Sequence, residues 1–199
     1  MEPVTLTTER LVLRPHTPSD VPAVHAACQD PDIPRWTNVP SPYTREHAED
    51  FVCRIAPQGW RDDTAYDFAV TTRDEGVLVG AVGLVRLNLL AAPERQAELG
   101  YWTAKEHRGR GYTTEAGRAL ARWAFTELGV ERLEWYAEVG NAGSRAVAQK
   151  IGFRMEGTLR ARLLHGGSRR DGWVGSLLPS DLGLPSATPY LPAPPATTG

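Results

Sequence analysis

The stretch HRGRGYTTEA, residues His107–Ala116, decides how this chain is read, because it joins a strand-like run to an amphipathic helix through two glycines. The first N–H groups of a helix have no intrahelical acceptors, and the helix dipole adds positive potential at the same end. Glycine at 109 and 111 lets the backbone approach a ligand closely and take positive φ. The turn is therefore a natural seat for a pyrophosphate, and a nucleotide-bearing ligand is the first expectation.

Downstream of the turn, Ala116, Ala119, Leu120, Trp123, Ala124 and Leu128 recur on one helical face until Gly129 stops the helix. Upstream, YDFAVTT (Tyr66–Thr72), VLVGAVGLVRL (Val77–Leu87) and QAELGYWT (Gln96–Thr103) alternate and are rich in Val and aromatics. They predict an antiparallel meander, with Asp74-Glu75-Gly76 as a tight hairpin turn. LVLRP, from Leu11, predicts an opening strand, followed by a helix from Asp20 that carries Val21, Val24, His25 and Ala27. The prolines at 31, 34, 40 and 42 predict a loop over Asp30–Pro42, and Thr44 caps a second helix running to about Ile55. Beyond Gly129, RLEWYAEV (Arg132–Val139) reads as a strand and Asn141 caps a helix to about Ile151. Gly152-Phe153 leads into a strand through Leu163, and a last strand covers Trp173–Leu178. From Pro179 the composition turns to Pro, Ala, Ser and Thr, so the expected division is a folded domain over 1–181 and a flexible tail over 182–199.

Bulk properties narrow the function classes. A chain of 199 residues, 41% hydrophobic, with a formal charge of −2, predicts one soluble globular domain. A pI near 6.2 argues against nucleic acid as a partner. Apolar runs are broken every few residues, and Met1-Glu2-Pro3 lacks the basic start of a signal peptide, so a cytoplasmic protein without membrane association is expected. Cys28 and Cys53 are not spaced with His as metal ligands, which predicts no metal site and no disulfide framework. Both read as small apolar fillers on helices.

The ordered set TERLVLRPHTPSD, QAELGYWT, RGRGYTTEA, NAGSRAVAQKIGF and EGTLR resembles the GNAT superfamily of acyl-CoA N-acyltransferases, in the branch of the Rim-type ribosomal-protein N-terminal acetyltransferases. The resemblance covers residues 6 to 181. It implies an α/β (α+β) fold, a mixed, mostly antiparallel twisted sheet of about seven strands with about four helices, and acetyl-CoA as cosubstrate. It puts Arg108, Gly109, Arg110, Gly111, Tyr112 and Thr113 at the pyrophosphate, with backbone N–H groups as the main donors. A solvated basic surface is the alternative for the Arg108 and Arg110 side chains. It lays the pantetheine arm along the main chain of Tyr101, Trp102 and Thr103, where ordinary sheet packing accounts equally well for the rings. Asn141 is implied as helix cap and pantetheine contact. Thr113 departs from the Gly or Ala usual at its place. Ala148 stands where many members carry a Tyr acid, and Ser144 is implied instead as the hydroxyl that donates to the leaving sulfur.

Acyl transfer to an amine must remove a proton from the ammonium and stabilise the departing thiolate. Glu98 lies two residues before Gly100 on the strand expected to line the thioester, and alternation puts Glu98, Gly100 and Trp102 on one face. Glu98 is thus the candidate base, with an exposed strand carboxylate as the plainer reading. Neither cysteine falls in a motif, so direct attack in a ternary complex is expected rather than an acyl-cysteine intermediate. A P-loop enzyme is excluded by the lack of Lys-Ser or Lys-Thr after the glycines, and a dinucleotide dehydrogenase by the lack of G-x-G-x-x-G.

The acceptor is harder to read. Asp30, Asp32, Glu46, Glu49, Asp50, Asp62, Asp63, Asp67, Asp74 and Glu75 outnumber the arginines around them, which suits a cationic amine, although solvated helix faces account for most of them singly. Trp36 and Trp60 are candidate cleft walls or loop anchors. The branch resemblance implies a protein N-terminal α-amine as acceptor. A polyamine or aminosugar is the alternative, as is a non-catalytic acyl-CoA-binding module, and a homodimer is admitted.

Overall fold

Alternation in LVLRP should put Leu11 and Leu13 on one side of a strand, and in the computed structural model, which describes residues 1–91 and 93–193, both are fully buried. Among the described residues, eight strands form one sheet: β1 (Leu6–Thr7), β2 (Leu11–Pro15), β3 (Ala65–Thr72), β4 (Leu78–Val85), β5 (Gln96–Thr103), β6 (Arg132–Glu138), β7 (Arg154–His165) and β8 (Ser168–Leu177). Their order is β1-β2-β3-β4-β5-β6-β8-β7, and every neighbouring pair is antiparallel except β5 and β6. The expected count of about seven rises to eight because the two residues of β1 add an edge strand to β2.

The two faces of the sheet bury different things. On one face Leu13, Phe68, Leu84, Leu99 and Leu133 pack with Ala116, Leu120 and Ala124 of α5 (Tyr112–Thr126). Of the stripe read from the sequence Ala116, Leu120, Trp123 and Ala124 are buried, Ala119 and Leu128 only partly, and Gly117, Ala121 and Phe125 join the buried face. On the other face a smaller cluster joins Val21 and Val24 of α1 (Val21–Ala27), Ile33 of α2 (Asp32–Trp36), Ala48 of α3 (Arg45–Asp50) and Trp102 of β5. α6 (Ala142–Ile151) follows β6 and buries Ala148 and Ile151. No helix among the described residues is long and apolar enough to cross a membrane.

Several elements differ from expectation for identifiable reasons. The proline-rich stretch holds a helix, α2, because Pro34 sits in its first turn, where an N–H has no acceptor anyway. The helix capped by Thr44 does not stop at Ile55. It winds through a π-helical turn (Phe51–Ile55) into α4 (Ala56–Arg61), with Pro57 again in the first turn. Trp60 therefore lies in a helix and is 2% exposed, stacked on Tyr66 at 4.6 Å and edge-on to Phe68. It is a core residue and walls no cleft.

The strand expected to Leu87 ends at Val85, because Arg86 takes φ 60° and Leu87–Leu89 curl into a 3-10 turn. β7 and β8 run longer than read and meet at Gly166-Gly167, whose φ of 55° and 73° suit a two-residue hairpin turn. Cys28 is buried, whereas Cys53 is exposed and fills nothing. Part of the expected tail is tied down as well. Pro179–Leu182 form a 3-10 turn, Leu182 and Leu184 pack on the core, and the Glu131 carboxylate accepts the N–H groups of Ala187 at 3.0 Å and Thr188 at 3.4 Å. Residues 194–199 of that tail lie outside the described residues.

Candidate active site

Among the described residues the one parallel pair in the sheet is short: Gln96–Glu98 pair with Arg132–Glu134, and no further. Beyond those residues β5 stays with β4 as far as Thr103, and β6 stays with β8 as far as Glu138. The two central strands therefore part in a V, and the β6-facing edge of β5 is left free from Leu99 onward. Such an edge accepts an extended ligand by main-chain pairing. A cavity of about 1090 Å³ fills the V, bordered by Gly100–Thr103, by Gly109 and Gly111–Thr114, by Asn141–Ser144, and on its far side by Trp36, Tyr43 and Asp67.

At one end stands the glycine turn. Gly109 and Gly111 have φ of 75° and 80°, and Gly111 is the N-cap of α5, so the N–H groups of Tyr112, Thr113 and Thr114 begin the helix without intrahelical acceptors. The turn is braced from a distance. Arg10 donates to the Arg110 carbonyl at 3.1 Å and pairs with Glu115, which also accepts the Thr8 hydroxyl at 2.6 Å. Thr8 and Arg10 belong to the TER run near the start of the chain, and nothing local in that run marks them as supports for the turn. Thr113, the departure from the family pattern, hydrogen-bonds Thr103 through its hydroxyl and so ties the end of β5 to the first turn of α5. Arg108 lines the cavity but is engaged: it forks onto Asp30 and Asp32 and donates to the Thr103 carbonyl at 3.2 Å. Arg110 is exposed and outside the cavity wall.

The middle of the cleft holds a connected polar group. The Asn141 side chain accepts the Ser144 N–H at 3.1 Å, so Asn141 is the cap the sequence predicted. The Ser144 hydroxyl accepts from the Trp135 indole at 3.1 Å and donates to the Tyr101 hydroxyl at 3.2 Å, which in turn donates to the Ser144 carbonyl at 2.8 Å. Burial pushes the Tyr101 phenol well above its ordinary pKa and keeps it neutral. The Tyr101 hydroxyl and the Trp135 N–H were not legible as site groups in sequence, because each reads there as strand packing.

Away from the glycine turn, Glu98 sits where the strands begin to part, with Arg86 at 3.6 Å. Burial pushes its pKa up, Arg86 pulls it down, and the neighbouring Glu134 carboxylate pushes it up again. Asp67 on β3 faces the same cavity, and burial pushes its carboxyl up to about 6. The far lip is clamped. Arg35 of α2 forks onto Glu138 of β6 at 3.0 and 3.2 Å, and His165 contacts both Glu138 at 3.3 Å and the Pro34 carbonyl at 3.0 Å. Arg35 holds the Glu138 carboxyl below the usual carboxylate range and also stacks 4.0 Å above the Trp36 ring, so Trp36 is a cleft wall.

The comparisons agree with this arrangement. The family model described as Acetyltransferase (GNAT) domain matches residues 10–154, from the brace Arg10 to the start of β7. The putative ribosomal N-acetyltransferase YdaF of Bacillus subtilis is 45% identical over 96 residues, which is 48% of this chain and about half, 52%, of that protein's length. The structure of a putative ribosomal-protein-serine acetyltransferase from Vibrio cholerae is 29% identical with a TM-score of 0.76, covering 88% of this chain and 98% of that one. RimJ of Mycobacterium smegmatis, solved in complex with CoA-disulfide, shares the fold with a TM-score of 0.78 at 23% identity, covering 92% of each chain. The matched segment carries the parting strands, the glycine turn and the Asn141–Ser144 cap together, and the chain belongs to the acetyltransferase (GNAT) domain family of N-acetyltransferases.

Proposed function

We propose that this chain moves an acetyl group from acetyl-CoA to a primary amine by direct attack in a ternary complex, and that the amine is a protein N-terminal α-amine. The observation that carries the reading is that one cavity joins the α5 N-terminus, the free edge of β5 and the carboxylates Asp67 and Glu98. The N–H groups at the start of α5 take the pyrophosphate, with Gly109 and Gly111 allowing close approach. The main chain of Tyr101, Trp102 and Thr103 pairs with the pantetheine amides, and Asn141 closes the other side. The CoA-disulfide in complex with Mycobacterium smegmatis RimJ, which shares the fold, supports this donor, and the ribosomal-protein names among the similar proteins support the acceptor.

In the chemical step Glu98 takes a proton from the ammonium, directly or through water. The nitrogen lone pair then forms a bond to the thioester carbon. A backbone N–H of β5 supports the oxyanion. The nitrogen of the tetrahedral adduct gives its surplus proton to water, the oxyanion re-forms the C=O as the C–S bond breaks, and the thiolate takes up a proton from water. Meanwhile the Ser144 hydroxyl turns its hydrogen from the Tyr101 oxygen to the sulfur while the Trp135 N–H keeps hold of it. A serine hydroxyl is too weak an acid to give up its proton readily, so its part is to stabilise the thiolate by hydrogen bonding.

The deciding experiment is turnover of acetyl-CoA with N-terminal peptides, polyamines and aminoglycosides in parallel. The reading expects peptides to be acetylated at the α-amine, and double-reciprocal lines that intersect when both substrates are varied. Parallel lines would overturn direct attack, and consumption with polyamines alone would overturn the acceptor. Ser144→Ala should lower kcat by about 10- to 100-fold with little change in acetyl-CoA affinity, since its bond to sulfur forms near the transition state.

A further inference from the structure

Four carboxylates line the cavity: Asp32, Asp50, Asp67 and Glu98. Three of them already have a cation, Asp32 from Arg108, Asp50 from Arg54 and Glu98 from Arg86. Asp67 is the exception. Among the described residues its carboxylate oxygens have no ion-pair partner and no hydrogen-bond donor, although its own backbone carbonyl accepts the Trp60 indole at 3.1 Å.

The position is built for this. Tyr66 and Phe68 turn into the aromatic core on one face of β3, and alternation turns Asp67 to the face that carries the cleft. In register, Asp67 stands beside Gly83 of β4, and Gly83 beside Gly100 of β5. A Cβ at Gly83 would come within 2.7 Å of the Asp67 Oδ1, so the carboxyl lies over β4 in space that only glycine leaves open. A Cβ at Gly100 would meet nothing within 4 Å. The row is a trough whose wall is Asp67 and whose far end is the free edge of β5. Neighbouring strands are about 4.8 Å apart, so a nitrogen hydrogen-bonded to this carboxylate lies about one strand spacing from that edge.

We infer that Asp67 is the docking carboxylate for the acceptor: it binds the ammonium of a cationic primary amine in the Gly83–Gly100 trough and orients it toward the thioester. The inference rests on the acetyl-transfer reading and names the charge class of its acceptor. An α-amine, with an ordinary pKa of about 7.7 to 8.0, is mostly protonated at neutral pH and brings three N–H donors to an acceptor that has none. After one proton leaves for Glu98, the remaining N–H groups keep the bond to Asp67 and turn the lone pair toward the carbonyl carbon. No bond to Asp67 forms or breaks. A carboxyl with a pKa of about 6 is ionised at neutral pH and ready for this role. From α3 the titratable groups facing the same cavity are His47 and Asp50, and from β5 Glu98.

The test is steady-state kinetics of Asp67→Asn with an N-terminal peptide, beside Gly83→Ala, whose Cβ crowds the carboxyl at 2.7 Å and the Tyr66 carbonyl at 3.1 Å without removing either. Asp67→Asn should raise KM for the amine about 10- to 100-fold, the size of a charged hydrogen bond, with kcat and acetyl-CoA affinity changed much less. Gly83→Ala should raise the same KM by a smaller factor. Thermal unfolding guards against a structural effect, because losing an unpaired carboxylate should leave Tm equal or higher. An unchanged amine KM, a loss confined to kcat, or a Tm that falls in step with activity would each overturn the inference. If the unaltered chain acetylates no amine, the acetyl-transfer reading fails. If it does so and Asp67→Asn matches it, only the docking role fails.

Discussion

The two ends of the cleft are made differently. The proposed donor end is nearly one stretch of chain: β5, the glycine turn and the first turn of α5 run from Gln96 to Glu115, and the contribution proposed for them is main chain. The proposed acceptor end is gathered from β3, α2, α3 and β6, and beside it charges meet across the fold, as in Arg35–Glu138–His165. Backbone donors tolerate many side chains as long as φ is right, whereas an ion-pair network changes whenever one member does. The proposed donor end is therefore tolerant of side-chain change. The acceptor end is where specificity can vary.

The largest expected effect breaks the donor end alone. Gly111→Val forces a β-branched residue to φ 80° at the N-cap of α5 and should weaken acetyl-CoA binding by about 100-fold or more, with the amine KM far less affected. Isothermal titration with acetyl-CoA reads this, and equal damage to both substrates would mean that the two ends are not independent.

Two titratable groups give pH dependences of stability with opposite sign. His16 is 8% exposed, packs edge-on to Phe51 and has both ring nitrogens without a partner, and burial pushes its pKa down to about 4. The unfolded chain takes up this proton below about 6.5, so the contribution is present above 6.5 and is lost as pH falls toward 4, by up to about 3 kcal/mol. Denaturant melts of His16→Phe should lack that loss. Asp67 works the other way, since its folded pKa of about 6 lies above its ordinary 3.8. Here stability is fully present below about 4 and declines as pH rises to 6. Asp67→Asn should match the parent at pH 4 and exceed it above pH 6, by about 1 to 2 kcal/mol. A constant difference across that range would place the effect elsewhere.

The smallest effect lies away from the cleft. Glu131→Ala removes the acceptor that holds Ala187 and Thr188 and should cost about 0.5 to 1 kcal/mol with no change in kinetics, measured by the same melts.

How much was legible follows the same division. The helix stripe of α5, the cap at Asn141, the strand of the meander that carries Glu98 and the glycine turn all depend on residues a few positions apart, and periodicity reports such relations directly. Trp60 was misread because a tryptophan next to a glycine reads as loop, while its ring is claimed by Tyr66 and Phe68 from a following strand. Asp67 was visible only as one member of an acidic bias. Its isolation depends on Arg108, Arg54 and Arg86 having been taken by the other three carboxylates, two of those pairs joining distant parts of the chain or a strand to its turn.

By itself, then, the sequence determined the sheet-and-helix order, the glycine turn at the head of α5 and the membership those motifs carry, because each follows from spacing along the chain and from the φ that glycine permits. Only the tertiary structure decided where β5 and β6 part, that Arg10 braces the turn, and which carboxylate in the cleft is left without a partner. Strand pairing and charge pairing are settled between residues far apart in the chain, and the energy of each pair depends on what else competes for the same partner.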